Sequence, residues 1–308
     1  MDTVPDGIPC LNTTRISSLW AVQKQLGFDY SATMLFGASG TAFVVNIHPQ
    51  LCPSGPYCWG GPAFDEALGN LGIVRTDLGF LGEDSTAEQR RAVEQKVRDT
   101  LAAGRPATCL NNEHQYITGT NETGFTLIKC WPNNVTSDHL TFTSWDEWDD
   151  WHASFQIYDK AEPADLRTIF ADSIALAIEL YENPEAHAFD GYSIGPRAYD
   201  TWIKAVRDGH AADHGNWWNA TVYAEGRNHA ANYCREIARE LPDTGADANM
   251  LAELYAELAE TLDRVSDKDL SGDTRTQLLT RAAELEAAAL PHLKAVHATL
   301  TEATGSRQ

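Results

Sequence analysis

Two residues of the chain have the types and surroundings that acyl chemistry needs. Cys10 lies just ahead of Thr14, where a stretch with apolar residues at helical spacing begins. The start of a helix carries partial positive charge and free N–H groups, which stabilise a thiolate and so activate a nucleophile. His114 opens the run Gln115-Tyr116-Ile117-Thr118-Gly119, which reads as a strand. An imidazole on a rigid sheet facing a helix-capped thiol could take and return a proton while the thiol attacks an acyl carbon. Backbone N–H groups at the helix start would then hold the oxyanion. The chemistry expected of such a pair is acyl transfer or amide hydrolysis on a small amine-containing molecule.

Three other groups of residues carry polar or aromatic chemistry. Trp145, Trp148 and Trp151 recur at three-residue spacing among Asp146, Glu147, Asp149 and Asp150. Rings interleaved with carboxylates suit an amine ligand through cation–π contact and charge; the alternative is that the rings cover a domain seam. Asn219, Tyr223 and Arg227 fall on one helical face and, with His214, could line a pocket against the first domain; an ordinary polar helix flank is the plainer reading. His48, Cys52 and Cys58 are metal-capable types, but their spacing matches no common zinc motif, and a folded loop with two buried thiols is expected. The chain has no G-x-G-x-x-G, no phosphate-binding loop, no H-E-x-x-H and no G-x-S-x-G. No cofactor and no metal is expected.

The elements that must position these residues divide near residue 160. The first part holds most of the glycines and five of the six cysteines. Thr14 to Leu26 reads as a helix stopped by Gly27, and Thr41 to Ile47 as a strand. Ser85-Thr86-Ala87-Glu88 is a capping box opening a helix that ends at Gly104-Arg105-Pro106. His114 to Gly119 and Gly124 to Lys129 read as a hairpin, and His139 to Thr143 as a further strand. The second part reads as five helices. Pro163 is expected at the first position of one helix and Pro196 to open another, and Gly226 is expected to permit a close helix contact within the stripe Trp218 to Leu241. The next stripe runs from Leu251 to Val265 and the last from Leu278 to Leu300. A meander of strands after a helix, then a bundle, is an α+β arrangement with domains 1–160 and 161–308.

Composition narrows the partners. The 308 residues include 44 acidic against 23 basic ones, a formal charge of −21, and that sign disfavours nucleic acid and anionic membranes. The charge is shared by both parts. Lys is scarce, 7 against 16 Arg, and Asp plentiful at 24, a balance found in salt-adapted surfaces and in ordinary acidic proteins alike. No apolar run is long enough to span a bilayer, and the N-terminal residues have no basic or apolar signal region, so a cytoplasmic protein with reduced cysteines is expected. An apolar face left open on the C-terminal helices would make a homo-oligomer.

The order of a short first helix, Leu26-Gly27-Phe28-Asp29-Tyr30-Ser31, Leu35-Phe36-Gly37, Ser39-Gly40, Ala42-Phe43 and the hairpin at His114 resembles the butirosin-biosynthesis protein H family. It is also similar to the wider bacterial double-glycine leader peptidases, and the resemblance covers roughly residues 8 to 135. It implies a papain-like fold, with a Cys nucleophile at the start of the first helix and a His on a later strand. It also implies acyl transfer to an amine, with an acyl-carrier protein as a partner. Counting back from Gly27 puts the family's nucleophile near Thr14, so either residues are inserted after Cys10 or a hydroxyl replaces the thiol. Trp131-Pro132 stands where the family has Asp-Pro, which leaves Asn133 or Asn134 to orient the imidazole. Two functions follow from these residues: a Cys10–His114–Asn133 enzyme, or a catalytically inactive papain-like protein that binds a ligand or a biosynthetic partner.

Overall fold

The computed structural model describes residues 7–122, 124–129, 139–141 and 152–305. In chain order its main elements are α1 (Thr14–Gln25), α2 (Ala32–Ala38), β1 (Asn46–Ile47), α3 (Gly61–Asn70), β2 (Ile73–Leu81), α4 (Ala87–Ala102), β3 (Ala107–Asn111), β4 (Glu113–Thr120), β5 (Gly124–Lys129), β6 (His139–Thr141) and β7 (Ala153–Lys160). There follow α5 (Leu166–Glu182), β8 (Ser193–Ile194), α6 (Pro196–Arg207), α7 (His214–Glu240), α8 (Gly245–Val265) and α9 (Gly272–Gly305). The protein is thus mixed α+β with a helical C-terminal region. No helix among the described residues is long and apolar enough to cross a membrane.

Two compact units form. One takes residues 1–35 and 72–163, the other 36–71 and 164–308. The chain crosses between them three times, whereas composition predicts one crossing near 160. The difference lies in residues 36–71, whose Phe36, Phe43 and Trp59 are buried in the helical unit.

The first unit is built on a six-stranded antiparallel sheet in the order β2-β7-β3-β4-β5-β6. Strand alternation gives the sheet two unlike faces. Ala107, Cys109, Ile117, Phe125, Leu127, Ala153, Phe155 and Ile157 make an apolar core, with Val93, Val97 and Leu101 of α4 packed into it. The intervening residues, Thr108, His114, Tyr116, Ser154, Gln156 and Tyr158, are polar and buried as well. Helix α1 packs on β4, where the Tyr116 hydroxyl donates to Gln25. Its end at Gly27, with φ +81°, is the stop expected from the sequence. Helix α4 starts one residue later than the sequence predicts. Thr86 and Gln89 make the reciprocal capping bonds, and the Ser85 hydroxyl accepts instead from the Gly82 N–H.

In the second unit, the apolar run 41–47 is a strand only at Asn46–Ile47, which pairs with β8. Arg227 explains why. Its guanidinium donates to the carbonyls of Ala42 (2.5 Å), Val44 (3.2 Å) and Phe43 (2.9 Å), so residues 42–44 present their acceptors to a side chain in place of a neighbouring strand. The Nε group donates to Glu286 at 2.6 Å, and the second terminal nitrogen pairs with the same carboxylate. Gly226 sits against the backbone of Thr41 and Ala42 rather than against a helix, and a methyl there would meet only ordinary contact distances. The close approach is at Gly37, where a Cβ would collide with the Tyr233 ring.

Arg227→Met leaves three buried carbonyls without their arginine donors and the Glu286 carboxylate without its cation, with the Tyr199 hydroxyl still donating to it. It is expected to lower unfolding stability by about 3–5 kcal/mol, the usual loss when one partner of a buried pair is removed. Urea denaturation of the variant beside the native chain measures this.

Candidate functional site

The polar face of the sheet meets the start of α1 at one place. β3 and β4 form a hairpin whose Asn111 and Glu113 pair directly, with Asn112 alone between them at φ +54°. Asparagine tolerates this left-handed conformation better than most residues. The tight turn puts Glu113 and His114 beside the first turn of α1. The Thr14 hydroxyl donates to the Glu113 carboxylate at 2.5 Å and accepts from the His114 backbone N–H at 3.1 Å. The neighbouring Arg15 donates through Nε to His114 Nε2 at 3.4 Å.

The rest of the face is tied together by side chains. Thr108 donates to Gln156 at 3.0 Å and lies 3.0 Å from the Tyr158 hydroxyl, while Gln156 donates to Ser154 at 2.8 Å. On β2, beside β7, Arg75 pairs with Asp77 at 3.1 Å. Burial first, then the positive charges of Arg15 and Arg75, hold His114 well below the ordinary imidazole value. Its ring is therefore neutral at pH 7, with Nε2 acting as an acceptor towards Arg15. Burial also raises the Tyr158 phenol, so that face contributes neutral hydroxyls.

Of the residues singled out from the sequence, His114 and Thr14 come together. Cys10 is exposed on the loop leading into α1, which is tied to that helix by the bond from Leu11 N–H to Ser17 Oγ at 3.3 Å. Among the described residues no hydrogen bond joins Cys10 to His114. Asn133, Trp145, Trp148 and Trp151 lie outside the described residues. Asn219, Tyr223 and Arg227 do share one face of α7, and all three are buried against residues 42–55 of their own unit. His214, in contrast, is exposed at the start of α7, its ring 5.2 Å from that of Trp217.

Arg15, Glu113 and the row Thr108, Gln156 and Tyr158 are additional members of the site. The row had a signal in the sequence: Ser154, Gln156 and Tyr158 alternate with Ala153, Phe155 and Ile157. Glu113 had none, because only the one-residue turn at Asn112 brings it to α1. Among the described residues no three His, Cys, Asp or Glu side chains converge as a metal site requires.

Compared with protein-family models and with curated proteins, the chain matches none.

The neutral, buried His114 has a consequence for pH. His229, stacked on Phe36 with ring centroids 4.2 Å apart, is likewise pushed down to about 4 by burial. In the unfolded chain both rings take up protons near about 6.5, whereas the folded chain resists doing so. Stability is therefore full above that pH and falls as pH drops through it towards 4. Two-dimensional NMR should show the His114 ring signals unshifted between pH 8 and 6. The loss of unfolding free energy between pH 7 and 5 should shrink in His114→Gln.

Proposed function

We propose that the first unit is a papain-like domain with Thr14 at the nucleophile position, and that the protein binds a small amine-containing or acyl ligand without covalent catalysis. The observation that carries this reading is the state of the Thr14 hydroxyl. It stands at the start of α1 beside the His114 strand, where a papain-like enzyme places its thiol, yet it is buried and bonded to both Glu113 and the His114 backbone. A buried hydroxyl whose proton is directed at the half-buried Glu113 carboxylate holds the helix start to the hairpin. The His114 ring supports the same reading, since its Nε2 faces the Arg15 guanidinium. In this form the cluster acts as structure, and the ligand would be held by non-covalent contacts. An acyl-carrier protein fits as the biosynthetic partner that delivers or receives such a ligand.

One observation favours a second reading, acyl transfer or amide hydrolysis through Cys10. That thiol is exposed, hence open to an acyl donor, and a histidine stands on the strand beside the helix that follows it. In this mechanism the Cys10 sulfur attacks the acyl carbon while His114 takes the thiol proton. The proton returns to the leaving group, and an amine or water then releases the acyl chain.

Intact-protein mass spectrometry after incubation with a small acyl thioester separates the two. The expected result is no acyl adduct on the native chain. An adduct that disappears in Cys10→Ser would overturn the non-covalent reading in favour of the second. The same readout applied to Thr14→Cys tests the position itself: buried at the helix start, residue 14 should stay without an adduct, and acylation there would overturn the non-covalent reading.

A further inference from the structure

The loop joining β1 to α3 carries chemistry that the sheet site does not use. Cys52 and Cys58 are free thiols of intermediate exposure. Cys52 Sγ lies 2.9 Å from Ser54 Oγ, which lies 2.7 Å from the Tyr192 hydroxyl. The Cys58 thiol lies against the same phenol, which burial and then the neighbouring thiols hold above its ordinary value. The two sulfurs thus flank one pair of hydroxyls, and the His48 ring rests on Tyr192 with centroids 5.1 Å apart.

Behind the thiols the backbone is fixed by buried polar side chains. Asn46 Nδ2 donates to the carbonyls of Gly55 and Cys58, each at 2.8 Å. Asn219 Nδ2 donates to Gly215 at 2.8 Å and to the carbonyls of Leu51 and Cys52, each at 3.4 Å. The Tyr223 hydroxyl donates to the Asn46 carbonyl at 2.5 Å and accepts from its N–H at 3.1 Å. Leu51 is held at φ +53°, a conformation that costs a leucine energy and persists only where its surroundings impose it. Gly55 and Gly215 are required by close approach, since a Cβ would collide with the carbonyls of Asn46 and Leu51 respectively. What remains movable is the two accessible thiol side chains on a rigid base.

We propose that Cys52 and Cys58 form a dithiol–disulfide couple, closed by a peroxide and reopened by a small thiol. One thiol gives up its proton as its sulfur takes a hydroxyl from hydrogen peroxide to become a sulfenic acid, and that proton leaves with the peroxide's other hydroxyl as the first water. The second thiol attacks the sulfenic sulfur, forming the S–S bond and releasing a second water. Two thiols and one peroxide thus yield one disulfide and two waters, with the Ser54 and Tyr192 hydroxyls placed to relay the protons. Two equivalents of an external thiol reverse the step and leave as their own disulfide. Closing the bridge requires both side chains to turn toward each other and the Cys52 thiol to give up its contact with the Ser54 hydroxyl.

The sequence supplies a direct test. Between Lys24 and Arg75 there is no other Lys or Arg, so trypsin releases Gln25–Arg75 with Cys52 and Cys58 as its only cysteines. After treatment of the native full chain with one equivalent of hydrogen peroxide and alkylation, this peptide should carry no alkyl group and be about 2 Da lighter than the unalkylated dithiol peptide, the loss of two hydrogens. A small thiol should restore it, and neither Cys52→Ala nor Cys58→Ala should show the lighter species. A peptide that keeps both thiols, carries a sulfinic acid, or is linked to another chain overturns the proposal. These outcomes are independent of whether Thr14 or Cys10 occupies the papain-like nucleophile position.

Discussion

The Arg227 guanidinium sets the form of the helical unit. Its donors go to three consecutive carbonyls, Ala42, Phe43 and Val44, and to the Glu286 carboxylate. A buried charge is tolerable only when paired and fully hydrogen-bonded, and both conditions are met here. The bonds join the segment 42–44 to α7 and α9, elements distant in sequence. Tyr199, whose hydroxyl donates to the same carboxylate at 3.2 Å, brings α6 into the arrangement. The loop with Cys52 and Cys58 follows directly from this anchored stretch, and Asn219 and Tyr223 stand on the same face of α7 as Arg227. One helix face thereby supplies both the anchor and the scaffold of the dithiol loop.

The sheet unit rests on a different constraint. A strand must point alternate side chains to opposite faces, and in this sheet both faces are buried, one apolar and one polar. The polar face is retained because its groups satisfy one another through Thr108, Gln156, Ser154 and Tyr158. Fully satisfied networks of this kind rigidify a core and specify one geometry for it. At its edge the cluster around Thr14 and His114 joins helix to hairpin. The same contacts that place a histidine at a helix start also occupy it.

The structure was legible in the sequence where a pattern had only one physical solution. The helix at Thr14, its glycine stop and the hairpin from His114 follow from periodicity and turn chemistry. The run 41–47 was misleading, because its apolar and β-branched residues are buried like those of a strand while their carbonyls are taken by an arginine 180-odd positions later. Strand β7 alternates cleanly, but it follows a tryptophan-rich acidic run that drew attention as a ligand surface. Asn219, Tyr223 and Arg227 were correctly placed on one face. They meet residues 42–55, which fall in the 1–160 domain drawn from composition and belong to the helical unit in space. Thr14 was legible only by counting from Gly27, and its partner Glu113 depends on a single αL asparagine.

The threefold crossing between units sets an order of events during synthesis. The carbonyls of residues 42–44 leave the ribosome long before Arg227 and Glu286 exist. At the usual bacterial or eukaryotic pace of about 5–20 residues per second, the wait is on the order of ten seconds or more. For that interval Phe36, Phe43 and Trp59 have no finished core to enter, while the sheet unit can close as soon as β7 emerges. The clamp on residues 42–44 is therefore complete only once α9 has delivered Glu286 to Arg227.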